Sequence, residues 1–213
     1  MIPINLKLKR KAHKDIAYVQ DLIVEELYNY FPQAVIHGGT AIWRCYNGNR
    51  FSEDIDVYIE KDKDKIENFF KSLEKKGFQI IKKRVKTNSL YSNLRFNDIA
   101  VRFEALFKKT KNFILKQYEN SDGIFINVYT LSSEDLINEK VDTYLKRKKI
   151  RDLYDIFFLL NYVSDKKKVI LSLKKLIKNF SKPEDEENLK AIIIIGVIPS
   201  SKDIFDYITR WAK

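Results

Sequence analysis

The stretch from His37 to Glu60, HGGTAIWRCYNGNRFSEDIDVYIE, constrains the fold of this chain more than any other. Two adjacent glycines, Gly38 and Gly39, permit a tight backbone turn and the close approach of a ligand. Thr40 to Cys45 can then begin a helix, whose first amides lack partners within the helix and attract an anion. A loop bearing Arg50 and Ser52 follows, and Asp54 to Ile59 reads as a strand. Period two sends Asp54, Asp56 and Tyr58 to one face and Ile55, Val57 and Ile59 to the other. Two carboxylates sharing a face repel, which favours protonating one of them unless a cation intervenes. Mg²⁺ resolves such a conflict, because it takes one or two carboxylates together with substrate phosphate oxygens. The stretch therefore predicts a cation site beside a phosphate site.

Around it the chain changes texture once. Lys11 to Tyr30 has apolar residues at helical spacing and ends before Pro32. Ala34 to His37 is a short strand, Asp62 to Lys76 a helix stopped by Gly77, and Phe78 to Val85, Leu90 to Phe96 and Asp98 to Phe107 are β-rich segments parted by turn residues. Ile124 to Tyr129 reads as a last strand. Beyond Thr130 helical periodicity takes over: a helix capped by Ser132 or Ser133 runs to Arg147, and others cover Lys149 to Tyr162, Asp165 to Phe180 and Pro199 to Trp211. We therefore expect an α+β protein, with a mixed sheet flanked by helices over residues 1–130 and a helical domain over 131–213.

Composition narrows the chemistry. Hydrophobic residues at 45% and aromatics at 13% of 213 positions predict a folded globule. The longest apolar run, Ala191 to Ile198, is broken by Gly196 and is too short for a bilayer, and the basic N-terminus is followed by no apolar segment. Both point to a cytoplasmic protein with no membrane partner. A single cysteine, Cys45, excludes an internal disulfide and a cysteine-cluster zinc site, and two histidines without HExxH spacing argue against a zinc hydrolase. His13 is expected to be exposed and His37 to be a structural histidine. The net charge of +11 suits polyanionic partners, although a surface solvated by lysine would read the same way.

The sequence GGTA, thirteen residues between Thr40 and Asp54, then DID within RFSEDID, resembles the polymerase-beta-type nucleotidyltransferase signature. It is most similar to the AbiEii/AbiGii abortive-infection toxin family, with Thr40 where nucleotidyltransferases generally carry serine. The resemblance spans about residues 34 to 160. It implies a nucleotidyltransferase-type mixed sheet flanked by helices and followed by a helical domain.

Two further segments bear on the site. In DIAVRFEALF, period two puts Arg102 and Glu104 on one face. Glu104 is the candidate third carboxylate, and a salt bridge to Arg102 is the alternative; the family's basic-x-Glu strand favours the first. In SEDLINEKVDTYLKRKKIRDLYDIFFLL, Glu139, Lys140, Tyr144 and Arg147 are spaced by three and four, so one helix face would aim two cations at the DID strand. By the resemblance, Lys140 would grip the triphosphate and Asp152 would be a later acidic residue needed for transfer. Alternatively Arg151, Asp152 and Asp155 only tie two helices together through ion pairs.

The resemblance thus implies an enzyme that transfers a nucleoside monophosphate from an NTP to an acceptor hydroxyl. Asp54, Asp56 and Glu104 would hold two Mg²⁺ ions, with Mn²⁺ as the substitute. Gly38, Gly39, Thr40, Arg50, Ser52, Lys140 and Arg151 would bind the nucleotide. Relatives are toxins of toxin–antitoxin pairs, and some act on the 3′ end of tRNA, so tRNA is the foremost acceptor and a cognate antitoxin the expected partner. A protein or small-molecule acceptor, or a nucleic-acid-binding module retaining the fold without catalysis, are the alternatives.

Overall fold

A computed structural model describes residues 3–213, Asn5 by its backbone alone. The chain divides into two compact units. The first comprises the residues up to Asn47 together with Phe51–Thr130, and the second comprises Gly48–Arg50 with Leu131–Lys213.

In the first unit the short helix α1 (Ile4–Lys7) precedes α2 (Lys11–Tyr30), then β1 (Val35–His37), α3 (Gly38–Cys45), β2 (Ile55–Ile59) and α4 (Lys63–Lys75). Five strands complete it: β3 (Phe78–Val85), β4 (Ser89–Phe96), β5 (Ile99–Phe107), β6 (Ile114–Glu119) and β7 (Phe125–Thr130). Among the described residues they form one seven-stranded sheet in the order β3-β4-β5-β2-β1-β7-β6. It is mixed: β2 runs parallel to β5 and β1 to β7, while β1 and β2 are antiparallel. The mixed sheet flanked by helices is the one the sequence predicts.

The alternation expected of β5 is present, with Val101, Phe103 and Ala105 buried and Arg102 and Glu104 half-exposed between them. α4 supplies the matching apolar stripe. Asp62 caps its N-terminus by accepting from the Lys65 amide, and Ile66, Phe69, Phe70 and Leu73, at helical spacing, are buried. Each such side chain contributes about 1.5–3 kcal/mol when fully buried. Phe69 meets Phe103 at 5.4 Å, which puts this helix on the face of β5 opposite Glu104.

Two expectations need correction. Sequence periodicity misses β6, because ILKQYE is a partly exposed edge strand with no clean apolar alternation; its pairing with β7 makes it a strand. His13 is half-buried, not exposed, and stacks on Phe51 with 4.1 Å between ring centres.

The second unit is helical: α5 (Ser133–Arg147), α6 (Ile150–Leu159), α7 (Ile170–Lys178), α8 (Leu189–Ile192) and α9 (Ser201–Ala212). Ser132 caps α5 through the Asp135 amide, and Lys148 ends it in the left-handed region. The predicted helix to Tyr162 closes in a 3₁₀ turn from Leu160, and the one predicted from Asp165 opens in another. Leu153, Ile156, Leu173, Leu176, Ile204 and Ile208 form its core. Among the described residues no helix is long and apolar enough to cross a membrane.

Candidate active site

The chain leaves β1 at His37 and turns at Gly38 with φ of +69°, a conformation that strains any side chain. A Cβ at Gly38 would also lie 2.5 Å from Oδ2 of Asp56. The missing side chain is what makes room for that carboxylate. α3 starts at this glycine, two residues earlier than the sequence suggests, and the side chain of its N-cap residue His37 accepts no capping bond from the helix amides. Gly39 and Thr40 are buried in its first turn, and the Thr40 hydroxyl donates to the carbonyl of Asp54. That bond ties the helix start to the residue that precedes β2, and so sets where the aspartates enter the sheet. The Ser52 carbonyl accepts from Gln20 at 2.9 Å, which anchors the same loop.

His37 stands opposite Asp56 across β1 and β2, and Asp56 stands opposite Glu104 across β2 and β5. Directly opposed residues share a face of the sheet, so the two carboxylates are neighbours. Arg102 Nε lies 3.0 Å from Oε1 of Glu104, and the same guanidinium pairs with Asp54. Burial works against the Arg102 charge, but Asp54 and Glu104 outweigh it and raise its pKa. Burial likewise raises the pKa of Glu104; Arg102 opposes this, while Asp56 and Asp54 add to it. Glu104 thus stands beside Asp56 and is salt-bridged to Arg102 as well. The Arg102–Asp54 pair is absent from the sequence reading, since nothing local links two residues 48 positions apart. His37 is occupied in packing: its ring stacks on Tyr58 at 4.0 Å, and Lys108 Nζ lies 4.7 Å from the Tyr58 ring centre.

Among the described residues no three His, Cys, Asp or Glu side chains are drawn together closely enough to hold a metal ion. The acidic side chains on this face offer carboxylate oxygens, the class that Mg²⁺ and Mn²⁺ prefer. Gly38 leaves the room that the Asp56 carboxylate occupies, and Arg102 supplies positive charge between Asp54 and Glu104. The chemistry of this donor set fits a hard divalent cation.

The spacing of Lys140 and Arg147 suggests cations aimed at the DID strand, but in the second unit both are paired with the buried carboxylates of α6. Lys140 Nζ lies 2.7 Å from Asp155 and 3.2 Å from Asp152. Arg147 grips Asp152 through two bonds of 2.7 and 2.8 Å. Arg50 completes the network from its own short segment, with Nε and Nη2 at 2.5 and 2.6 Å from the two oxygens of Asp155. Asp152 and Asp155 are fully buried. Burial alone would raise the pKa of Asp152, but Arg147 and Lys140 outweigh it and hold it below the usual carboxylate range. The pairing of Arg50 with Asp155 is a further contact that sequence spacing does not foretell. Arg151 is half-exposed and lines a pocket of about 400 Å³ with Lys149, Asp185 and Asn188. Tyr144 is core, its hydroxyl donating to the Ser181 carbonyl at 2.7 Å.

Residues 22–195 match a family described as nucleotidyl transferase AbiEii toxin, type IV toxin–antitoxin system. Among solved structures the chain is similar to MenT4, a nucleotidyltransferase toxin from Mycobacterium tuberculosis H37Rv. The two are 17% identical, with a TM-score of 0.64 over 97% of this chain and 90% of that one. It is also similar to JHP933 from Helicobacter pylori, at 17% identity and a TM-score of 0.65 over 95% of this chain and 91% of that one. A search among curated proteins finds no match.

Proposed function

Because the chain belongs to the AbiEii family of nucleotidyltransferase toxins from type IV toxin–antitoxin systems, we propose that it transfers a nucleoside monophosphate from an NTP to a hydroxyl of tRNA, in the cytoplasm and under control of a cognate antitoxin. The observation that carries this reading is the register of Asp56 against Glu104, with Arg102 pairing to both Glu104 and Asp54 beside them.

Asp54, Asp56 and Glu104 would hold two Mg²⁺ ions, which when bound offset the triphosphate charge and acidify the acceptor hydroxyl. The residues of the chain do the positioning. Gly38 leaves room for the Asp56 carboxylate, and Thr40 fixes the entry of β2. The first amides of α3, at Gly38, Gly39 and Thr40, suit phosphate oxygens. Ser52 contributes from the loop that Gln20 anchors. As the acceptor oxygen bonds to the α-phosphorus, the bond from that phosphorus to the β-phosphate oxygen breaks, the hydroxyl proton passes to solvent and pyrophosphate departs. Most of the acceleration comes from positioning and electrostatics. In the second unit, Lys140, Arg50 and Arg151 are the proposed nucleotide contacts and Asp152 the acidic residue needed for transfer, on the strength of the family resemblance.

Incubating the protein with α-labelled NTPs, Mg²⁺ and total tRNA tests the proposal. Label should appear in tRNA with the wild type and vanish with Asp56→Ala. No labelled RNA with any of the four NTPs would overturn it, and label in protein or a small molecule would move the acceptor to that class.

A further inference from the structure

The row that contains His37, Asp56 and Glu104 does not stop at β5. Glu104 stands opposite Tyr91 on β4, and Tyr91 stands opposite Arg84 on β3. One step along, Arg102 stands opposite Asn93 and Asn93 opposite Lys82. Opposed residues share a face, so the carboxylate face of the sheet continues onto Tyr91, Asn93, Arg84 and Lys82. Lys82 and Arg84 are exposed, and Tyr91 and Asn93 are half-buried. The intervening residues serve the other face: Leu90, Ser92 and Leu94 are buried, and Lys83 pairs with Glu67 beside the Phe70 ring.

The charge along this row is graded. It is acidic at Asp56 and Glu104, aromatic at Tyr91 and basic at Arg84, with Lys82 beside it on the next row. Among the described residues neither Lys82 nor Arg84 has a carboxylate partner, and Lys82 Nζ lies 5.3 Å from the Tyr91 ring centre. Two strand spacings separate Asp56 from Tyr91, about 10 Å. A ligand matching this gradient has a neutral hydroxyl at one end, a flat π-surface a short distance back, and phosphates behind it. Single-stranded nucleic acid is recognised in this way, by aromatic stacking flanked by cations.

We propose that the exposed face of β4 and β3, centred on Tyr91, Lys82 and Arg84, binds the single-stranded end of a polynucleotide acceptor and leads its terminal hydroxyl to Asp56 and Glu104. The inference rests on the nucleotidyl-transfer reading for its direction along the row, but its test does not need transfer. Binding of a short fluorescein-labelled single-stranded RNA is followed by anisotropy, without NTP, over a range of salt. Tyr91→Ala should weaken binding about tenfold, and Tyr91→Phe should bind as the wild type does. Lys82→Gln with Arg84→Gln should lower the salt slope by about 1.4, two phosphate contacts at about 0.7 each. Thermal melting of each variant separates lost binding from lost fold. Wild-type binding by Tyr91→Ala, equal losses in Tyr91→Ala and Tyr91→Phe, an unchanged salt slope, or polyglutamate competing as well as RNA would each overturn the platform. Wild-type protein that binds RNA through these residues yet labels nothing would overturn the proposed activity and leave the platform standing.

Discussion

Asp56 and Glu104 stand directly opposite one another on the parallel strands β2 and β5, two carboxylates on one face of one sheet. Like charges in directly opposed positions destabilise a sheet. The fold retains the pair with Arg102 between Glu104 and Asp54 as a counter-charge.

Asp56→Asn should therefore separate activity from stability. Transfer, measured as kcat/KM with labelled NTP, is expected to fall by on the order of 100-fold or more. The melting temperature without added metal is expected to rise slightly, because the repulsion is worth only about 0.2–1 kcal/mol. A variant that keeps full activity would remove Asp56 from the reaction. Removing divalent ions with EDTA should abolish transfer in the wild type, and added Mg²⁺ or Mn²⁺ should restore it.

Gly38→Ala tests the close approach between the turn and the carboxylate. The left-handed φ costs an alanine about 1–2 kcal/mol, and its Cβ would fall 2.5 Å from Oδ2 of Asp56. Activity should drop far more than the modest stability loss explains. Normal kinetics in this variant would mean that the carboxylate can shift without consequence.

The buried network in the second unit makes a different forecast. Asp155 neutralises both Arg50 and Lys140. Asp155→Ala should cost about 3–5 kcal/mol, as expected for breaking a buried pair from one side. Arg147→Ala should cost clearly less, since its side chain is 40% exposed and Lys140 still faces Asp152. Denaturant titration of the two variants gives the order, and equal losses would contradict it.

Glu134 provides a pH dependence. Its carboxylate accepts from the Ser164 amide and hydroxyl and the Asp165 amide, at 2.7 to 3.0 Å. Burial opposes its charge, but these donors outweigh it and hold its pKa down at about 2. A carboxyl with a depressed folded-state pKa contributes stability above its unfolded value of about 4.3, and that contribution fades as pH falls toward about 2. Glu134→Gln should accordingly be less stable than the wild type at neutral pH by about 1–3 kcal/mol. The gap should close between about pH 4 and pH 2, and a gap independent of pH would exclude this origin.

The sequence by itself determined most of the elements and their faces, β6 excepted. The alternation in DIDVYI and AVRFEALF, the helical spacing from Lys140 to Arg147, and the glycine turn before α3 are relations between near neighbours, written into the order of the residues. Legible too were the carboxylates and the cations, as residue types in the right local pattern. Tertiary structure alone decided which of them meet. Register between β2 and β5 is set by packing across an interval of 48 residues, so the opposition of Asp56 and Glu104 had no local trace. The capture of Asp54 by Arg102, the burial of Arg50 against Asp155, and the edge position of β6 are of the same kind. Each depends on how distant segments exclude water from a shared core, and one residue of slip in a strand would send every side chain to the other face.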